Sequence, residues 1–116
     1  MREAFDVRED ASGGRKVILF VSGHLDARST PLLLQHCQRV REDGRDLVLN
    51  LAEVGFIASS GIGGLLAVTQ EFRDAGLDIC FTALSPAVQS VLQLLNLDQF
   101  LSIEEETGEG RRAAGM

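Results

Sequence analysis

The sequence predicts one α/β domain, a mixed sheet of about four or five strands packed with three main helices, on three observations. Strand-like apolar runs alternate with amphipathic helical stretches, the connections between them are a few residues long, and two helical stretches open on a hydroxyl residue followed by proline. Alternation with short connections builds layers joined by parallel crossovers. A chain of 116 residues holds one core and is too short for two domains of ordinary size.

Phe5 and Val7 alternate with polar neighbours, the pattern of a half-exposed first strand. Ala11 to Gly14 supplies turn residues, and KVILFVSG then reads as a buried strand. The pair is expected to form an antiparallel hairpin or meander with a loop longer than two residues. Asp26 to Thr30 is a polar connection, with Thr30 as helix cap and Pro31 at the first helical position. The helix runs to Glu42 or Asp43, stopped by Gly44, with Leu33, Cys37 and Val40 on one face.

A short buried strand is expected at Leu47 to Leu51, where alternation is lost as if both sheet faces were covered. Ser59-Ser60-Gly61 opens a second helix, in which Ile62, Leu65, Leu66, Thr69 and Phe72 make a wide apolar stripe before Gly76. Leu77 to Thr82 is a further strand. Ser85-Pro86 starts a third helix with Val88, Val91, Leu92 and Leu95 inward. Leu92, Leu94, Leu95 and Leu97 exceed one narrow stripe, which leaves core filling or an apolar patch for a partner or dimer. Phe100 to Ile103 reads as a last strand, so the domain is expected over 1–103, with 104–116 a polar, flexible tail.

Net charge of -6 disfavours nonspecific nucleic-acid binding and anionic membranes, because the summed field repels phosphate. No apolar run approaches the ~20 residues a membrane span needs. The first ten residues lack the apolar region of a signal peptide, so a cytoplasmic location is expected. Cys37 and Cys80 sit in apolar patterns and are read as free thiols; two histidines without ligand spacing imply no metal, and no cofactor is expected.

The stretch FIASSGIGG, Phe56 to Gly64, places two serines and three glycines after a strand. A serine at a strand-to-helix junction is ordinarily a cap, but the same corner suits a nucleophile or a phosphorylated residue. A nucleophile needs a base, and only His24, after a strand, and His36, on a helix surface, are available. Gly61 and Gly63 follow the serines rather than bracketing one, and no Walker lysine is present, so neither a hydrolase elbow nor a triphosphate loop is formed.

Three blocks, SGHLDARST at Ser22 to Thr30, LVLNLAEVGFIASSGIGGLLAV at Leu47 to Val68 and TALSPAVQSVLQLLNLDQFLSI at Thr82 to Ile103, resemble a STAS domain, nearest to bacterial anti-sigma-factor antagonists. The resemblance implies a non-enzymatic binding protein in which Ser59 is phosphorylated by an anti-sigma factor that is also a serine kinase, with a serine phosphatase to reset it. It implies a partner face of Asp26, Ala58, Ser59, Ser60, Gly61 and Ile62, with no direct nucleic-acid binding and no membrane insertion; a weak homodimer is a further expectation. Unphosphorylated antagonist binds the anti-sigma factor and releases sigma. Two departures stand out: Ala58 occupies the place of the family's aspartate, and TGEGRRAAGM has little apolar material for the C-terminal helix common in the family. The first leaves open a STAS adaptor that does not switch, in a signalling scaffold or as the soluble subunit of a transport system.

Overall fold

The computed structural model describes residues 4–104. Strands β1 (Asp6–Gly13) and β2 (Lys16–Leu25) open the chain, followed by α1 (Thr30–Glu42), β3 (Asp46–Ile57), α2 (Ser59–Asp74), β4 (Ile79–Thr82), α3 (Pro86–Leu94), a 3-10 turn (Leu97–Gln99) and β5 (Ile103–Glu104). The sheet order is β1-β2-β3-β4-β5; β1 is antiparallel to β2, and every other pairing is parallel. The expected mixed sheet and three helices are therefore present.

The β1–β2 connection is shorter than the turn residues suggested. Gly13 pairs with Lys16, leaving Gly14 and Arg15 as a two-residue turn in which Gly14 takes a φ of 77°. The extra residue sits inside β1 instead, as a bulge between Asp10 and Gly13, where Asp10 Oδ1 accepts from the Ser12 N–H and hydroxyl.

β3 is longer than Leu47 to Leu51. Register against β2 slips between Phe20 and Ser22 and again between Gly23 and His24, each time with an additional residue on β3. Burial consequently falls at Leu51, Val54 and Ile57, a spacing of three that no regular strand shows. β4 begins at Ile79, later than Leu77, because Leu77 closes the end of α2 by donating its N–H to Phe72 O. The last strand begins at Ile103, because Leu97 to Gln99 first turn as a 3-10 helix.

Each of the crossovers β2-α1-β3, β3-α2-β4 and β4-α3-β5 steps across the sheet in the same direction, so right-handed connections put all three helices on one face. On that face Val17, Leu19, Val21, Leu25, Leu49 and Phe81 join Leu33, Cys37, Leu65, Val68, Phe72, Val88 and Leu92 in one buried core. Ile18, Phe20, Asn50, Cys80 and Thr82 line the other face and are half-buried. Coverage of both faces, expected from the run around Val48, is not what the described residues show. Val48 is nearly buried because Ile18 and Cys80 flank it in register on the neighbouring strands. Of the tail expected over 104–116, Glu104 instead pairs with Thr82 in β5, and 105–116 lie outside the described residues.

Candidate functional site

The carboxyl ends of β2 and β3 lie side by side, Leu25 in register with Ile57, and the segment after each strand turns into a helix. Asp26 follows the first strand and Ala58 the second. The Ala58 N–H donates to Leu25 O at 2.8 Å, which ties the two exits together. The sequence-predicted residues Asp26 and Ala58 to Ile62 are thus neighbours at one end of the sheet.

Asp26 serves the turn into α1. Its Oδ1 accepts the N–H groups of Arg28 at 3.0 Å and Ser29 at 3.1 Å, and its own N–H donates to Ser29 Oγ at 3.0 Å. This reciprocal pairing is the logic of a capping box. The Ser29 and Arg28 N–H donors hold the Asp26 carboxyl below the ordinary value of 3.8. Ser29, not Thr30, is the N-cap residue of α1, and its hydroxyl donates to His24 O instead of capping the helix.

The α2 junction differs. Ala58 is the N-cap, in extended geometry at φ -92° and ψ 172°, and has no side chain with which to accept a hydrogen bond. Ser59 and Ser60 are exposed residues of the first turn, and among the described residues neither hydroxyl makes a hydrogen bond. Reading Ser59 as a cap hydroxyl is therefore wrong by one position. The first helical hydrogen bond runs from Ile62 N to Ala58 O, so the N–H groups of Ser59, Ser60 and Gly61 have no partner within the helix. Three unpaired donors at the positive end of a 16-residue helix make a corner that favours anionic oxygen.

Glycines bring that corner down onto the sheet. A Cβ on Gly61 would lie 2.9 Å from Leu25 O, and one on Gly64 would lie 2.5 Å from Thr30 Cγ2. Gly61 is buried and Asp26, Ala58 and Ile62 are half-buried, so of the predicted set Ser59 and Ser60 are the exposed residues.

His24 does not activate either serine. Its ring stands edge-on to Phe56 with centroids 5.7 Å apart, and among the described residues no hydrogen bond joins it to Ser59. Phe56, half exposed, and Leu32 add apolar surface to this end, and an open groove of ≈ 460 Å³ runs between Ala4, His24, Asp26, Arg28 and Leu32. Sequence reading missed Phe56 as a surface residue, because the second bulge of β3 turns it outward. The three-residue spacing of Leu51, Val54 and Ile57 was the available signal. Among the described residues no group of His, Cys, Asp and Glu is arranged to hold a metal, and no helix is long and apolar enough to cross a membrane.

Residues 6–110 match the family described as STAS domain. Among solved structures, an anti-sigma factor antagonist from Mycobacterium paratuberculosis superposes with a TM-score of 0.79 at 23% identity, covering 96% of this chain and 93% of that one. The anti-sigma factor antagonist SpoIIAA in its unphosphorylated form gives 0.74 at 20% identity, over 96% and 98% of the two chains. The phosphorylated form of SpoIIAA from Bacillus gives 0.70 at 18% identity, over 96% and 100%. At these identities the likeness is one of fold.

Proposed function

This chain belongs to the STAS domain family, and we propose that it is an anti-sigma-factor antagonist switched by phosphorylation of Ser59. In this reading it binds an anti-sigma serine kinase through the end of the sheet that carries Asp26 and Ser59, and binding frees sigma factor. The protein is the kinase's substrate and performs no chemistry of its own. A serine phosphatase returns it to the binding form, and the exchange takes place in the cytoplasm.

The observation that carries the reading is the state of Ser59: an exposed hydroxyl in the first turn of α2, engaged by no other described group, beside unpaired backbone donors. Phosphorylation there adds ~1.5–2 negative charges to the centre of the contact end. The nearby N–H groups can hold the phosphate, so the charge alters the surface without unfolding the helix.

The test is affinity capture with wild type, Ser59→Asp and Ser59→Ala, followed by intact-mass analysis after incubation with the captured kinase and ATP. Wild type is expected to gain one phosphate on Ser59 and lose its partner; Ser59→Ala binds without being modified, and Ser59→Asp binds at least ~10-fold more weakly, about 1.4 kcal/mol. Equal binding by all three forms would sink the switch. That outcome is the one expected of the second reading, a nonswitching STAS adaptor, which Ala58 favours because it removes the family's aspartate from beside the serine.

A further inference from the structure

We propose that residues 105–116 of this chain fold back across the half-buried face of the sheet and seat Arg111 and Arg112 on the carboxylates of Asp6 and Glu53. The receiving site is an open cleft of ≈ 330 Å³ on that face, lined by Asp6, Phe20, Ser22, Asn50 and Glu53. The bulged register of β3 sets its shape. Asp6 and Glu53 both pair with Ser22, one from each side, so their backbones stand two strand spacings apart, roughly 10 Å. Both side chains are exposed, and among the described residues the one ion pair joins Arg15 to Asp46, so neither carboxylate has a cationic partner there. Arg8 does not take that role, because its guanidinium stands over the Phe20 ring, 4.6 Å from the centroid.

The chain enters this face from the opposite edge, at a distance the segment can cover. Glu104 of β5 is in register with Thr82, Thr82 with Asn50, and Asn50 with Phe20, so one row of positions leads from the end of β5 toward the cleft. From β5 to β2 is three strand spacings, ~14 Å, and Ser22 lies two residues further along β2, ~7 Å, so the straight path is ~16 Å. Arg111 follows Glu104 by seven residues, which reach up to ~23 Å when extended.

The order of charge in the segment matches the order of charge along that row. Glu105 and Glu106 pass over Thr82 and Asn50, which carry no charge, Glu109 comes level with Arg8, and the arginines arrive where the two carboxylates lack a partner. A guanidinium donates in a planar fork that matches a carboxylate, and its stem lies well along an aromatic ring such as Phe20. Each exposed pair is weak, but attachment to the same chain raises the local concentration of the arginines to the millimolar range. The result is a salt-sensitive strap. It crosses β4 at Thr82, two residues past Cys80, so that thiol lies beside the strap and not under it. The arginine pair lies past residue 110, where the family match ends. The helices, and with them Ser59, pack on the other face, so the strap does not depend on the switch.

Paramagnetic broadening in NMR spectra locates the segment in the full chain. A nitroxide on Ala113→Cys in a Cys80→Ser background, with Cys37 closed off in the core, is expected to remove most of the amide signal of Phe20, Ser22 and Glu53 at low salt and to spare α1. Asp6→Asn combined with Glu53→Gln is expected to restore that signal with an unchanged thermal melt, and so is ~1 M salt, where the screening length is only ~3 Å. Exchanging the charges, Arg111→Glu and Arg112→Glu together with Asp6→Arg and Glu53→Arg, is expected to bring the broadening back. Spin-labelled chain mixed with isotope-labelled wild type is expected to broaden nothing, because the contact lies within one molecule. Full signal on the sheet face of the spin-labelled chain overturns the proposal. So does broadening that survives Asp6→Asn with Glu53→Gln, which seats the segment on other groups, or a charge exchange that fails to restore it. Broadening carried over in the mixture overturns it too, since the occupant is then a second copy.

Discussion

Alanine at position 58 leaves the first turn of α2 without a side-chain acceptor, while its backbone already has the extended geometry of a good cap. An aspartate there needs no backbone change to accept from the second or third N–H of the helix. Ala58→Asp is therefore expected to stabilise the fold by about 1 kcal/mol, read as a higher urea midpoint at unchanged m. The same carboxylate would share the unpaired donors with any phosphate placed on Ser59. No gain in midpoint would mean that these N–H groups are already satisfied. That Ser59 and Asp26 share one end of the sheet was legible from the order of the motifs. Their roles were less so: which residue caps a helix depends on one step of backbone geometry, and sequence reading placed both the α1 and α2 caps one residue late.

At the level of elements, the short helix α3 is held at its start by Ser85. The Ser85 hydroxyl donates to Val54 O at 2.6 Å and accepts from Val88 N at 3.2 Å, and its N–H donates to Leu51 O at 3.2 Å. It thus caps the helix and satisfies a carbonyl of β3 exposed by the bulged register. Ser85→Ala removes a cap and strands a buried carbonyl, so a loss of ~2 kcal/mol is expected in denaturant unfolding. A loss below ~0.5 kcal/mol would show that the bulge finds another donor. The Ser85-Pro86 start was readable from sequence, as were the ends of α1 and α2, where Gly44 and Gly76 take φ of 70° and 74°. The second half of β3 was not. Its two extra residues break the two-residue period on which strand recognition depends, and they are what bring Phe56 to the surface beside His24.

Among the described residues the molecule is one-sided, with helices and core on one face of the sheet and a half-buried face opposite. Its two thiols report on that asymmetry. Cys37 of α1 lies in the core, and burial, with the Glu71 charge second, pushes its pKa up to about 12. Cys80 of β4 lies on the half-buried face; partial desolvation, followed by the Glu104 charge, raises its pKa too, but among the described residues its side chain stays within reach of solvent. A thiol reagent at pH 8 is expected to label Cys80 in the native protein and Cys37 only through unfolding, with both reacting at once in denaturant. The raised pKa of Cys37 also sets the sign of alkaline sensitivity. The folded state favours the protonated thiol, so this contribution to stability is complete below the ordinary value of 9.0 and is lost as pH climbs from there toward about 12. Equal native labelling of the two cysteines would contradict the one-sided packing, because Cys37 would then have a path to solvent that the α1–sheet contact excludes. Slow Cys37 labelling whose rate follows the urea-unfolding equilibrium would instead tie it to the cooperative core that holds α2, and with it Ser59, in place.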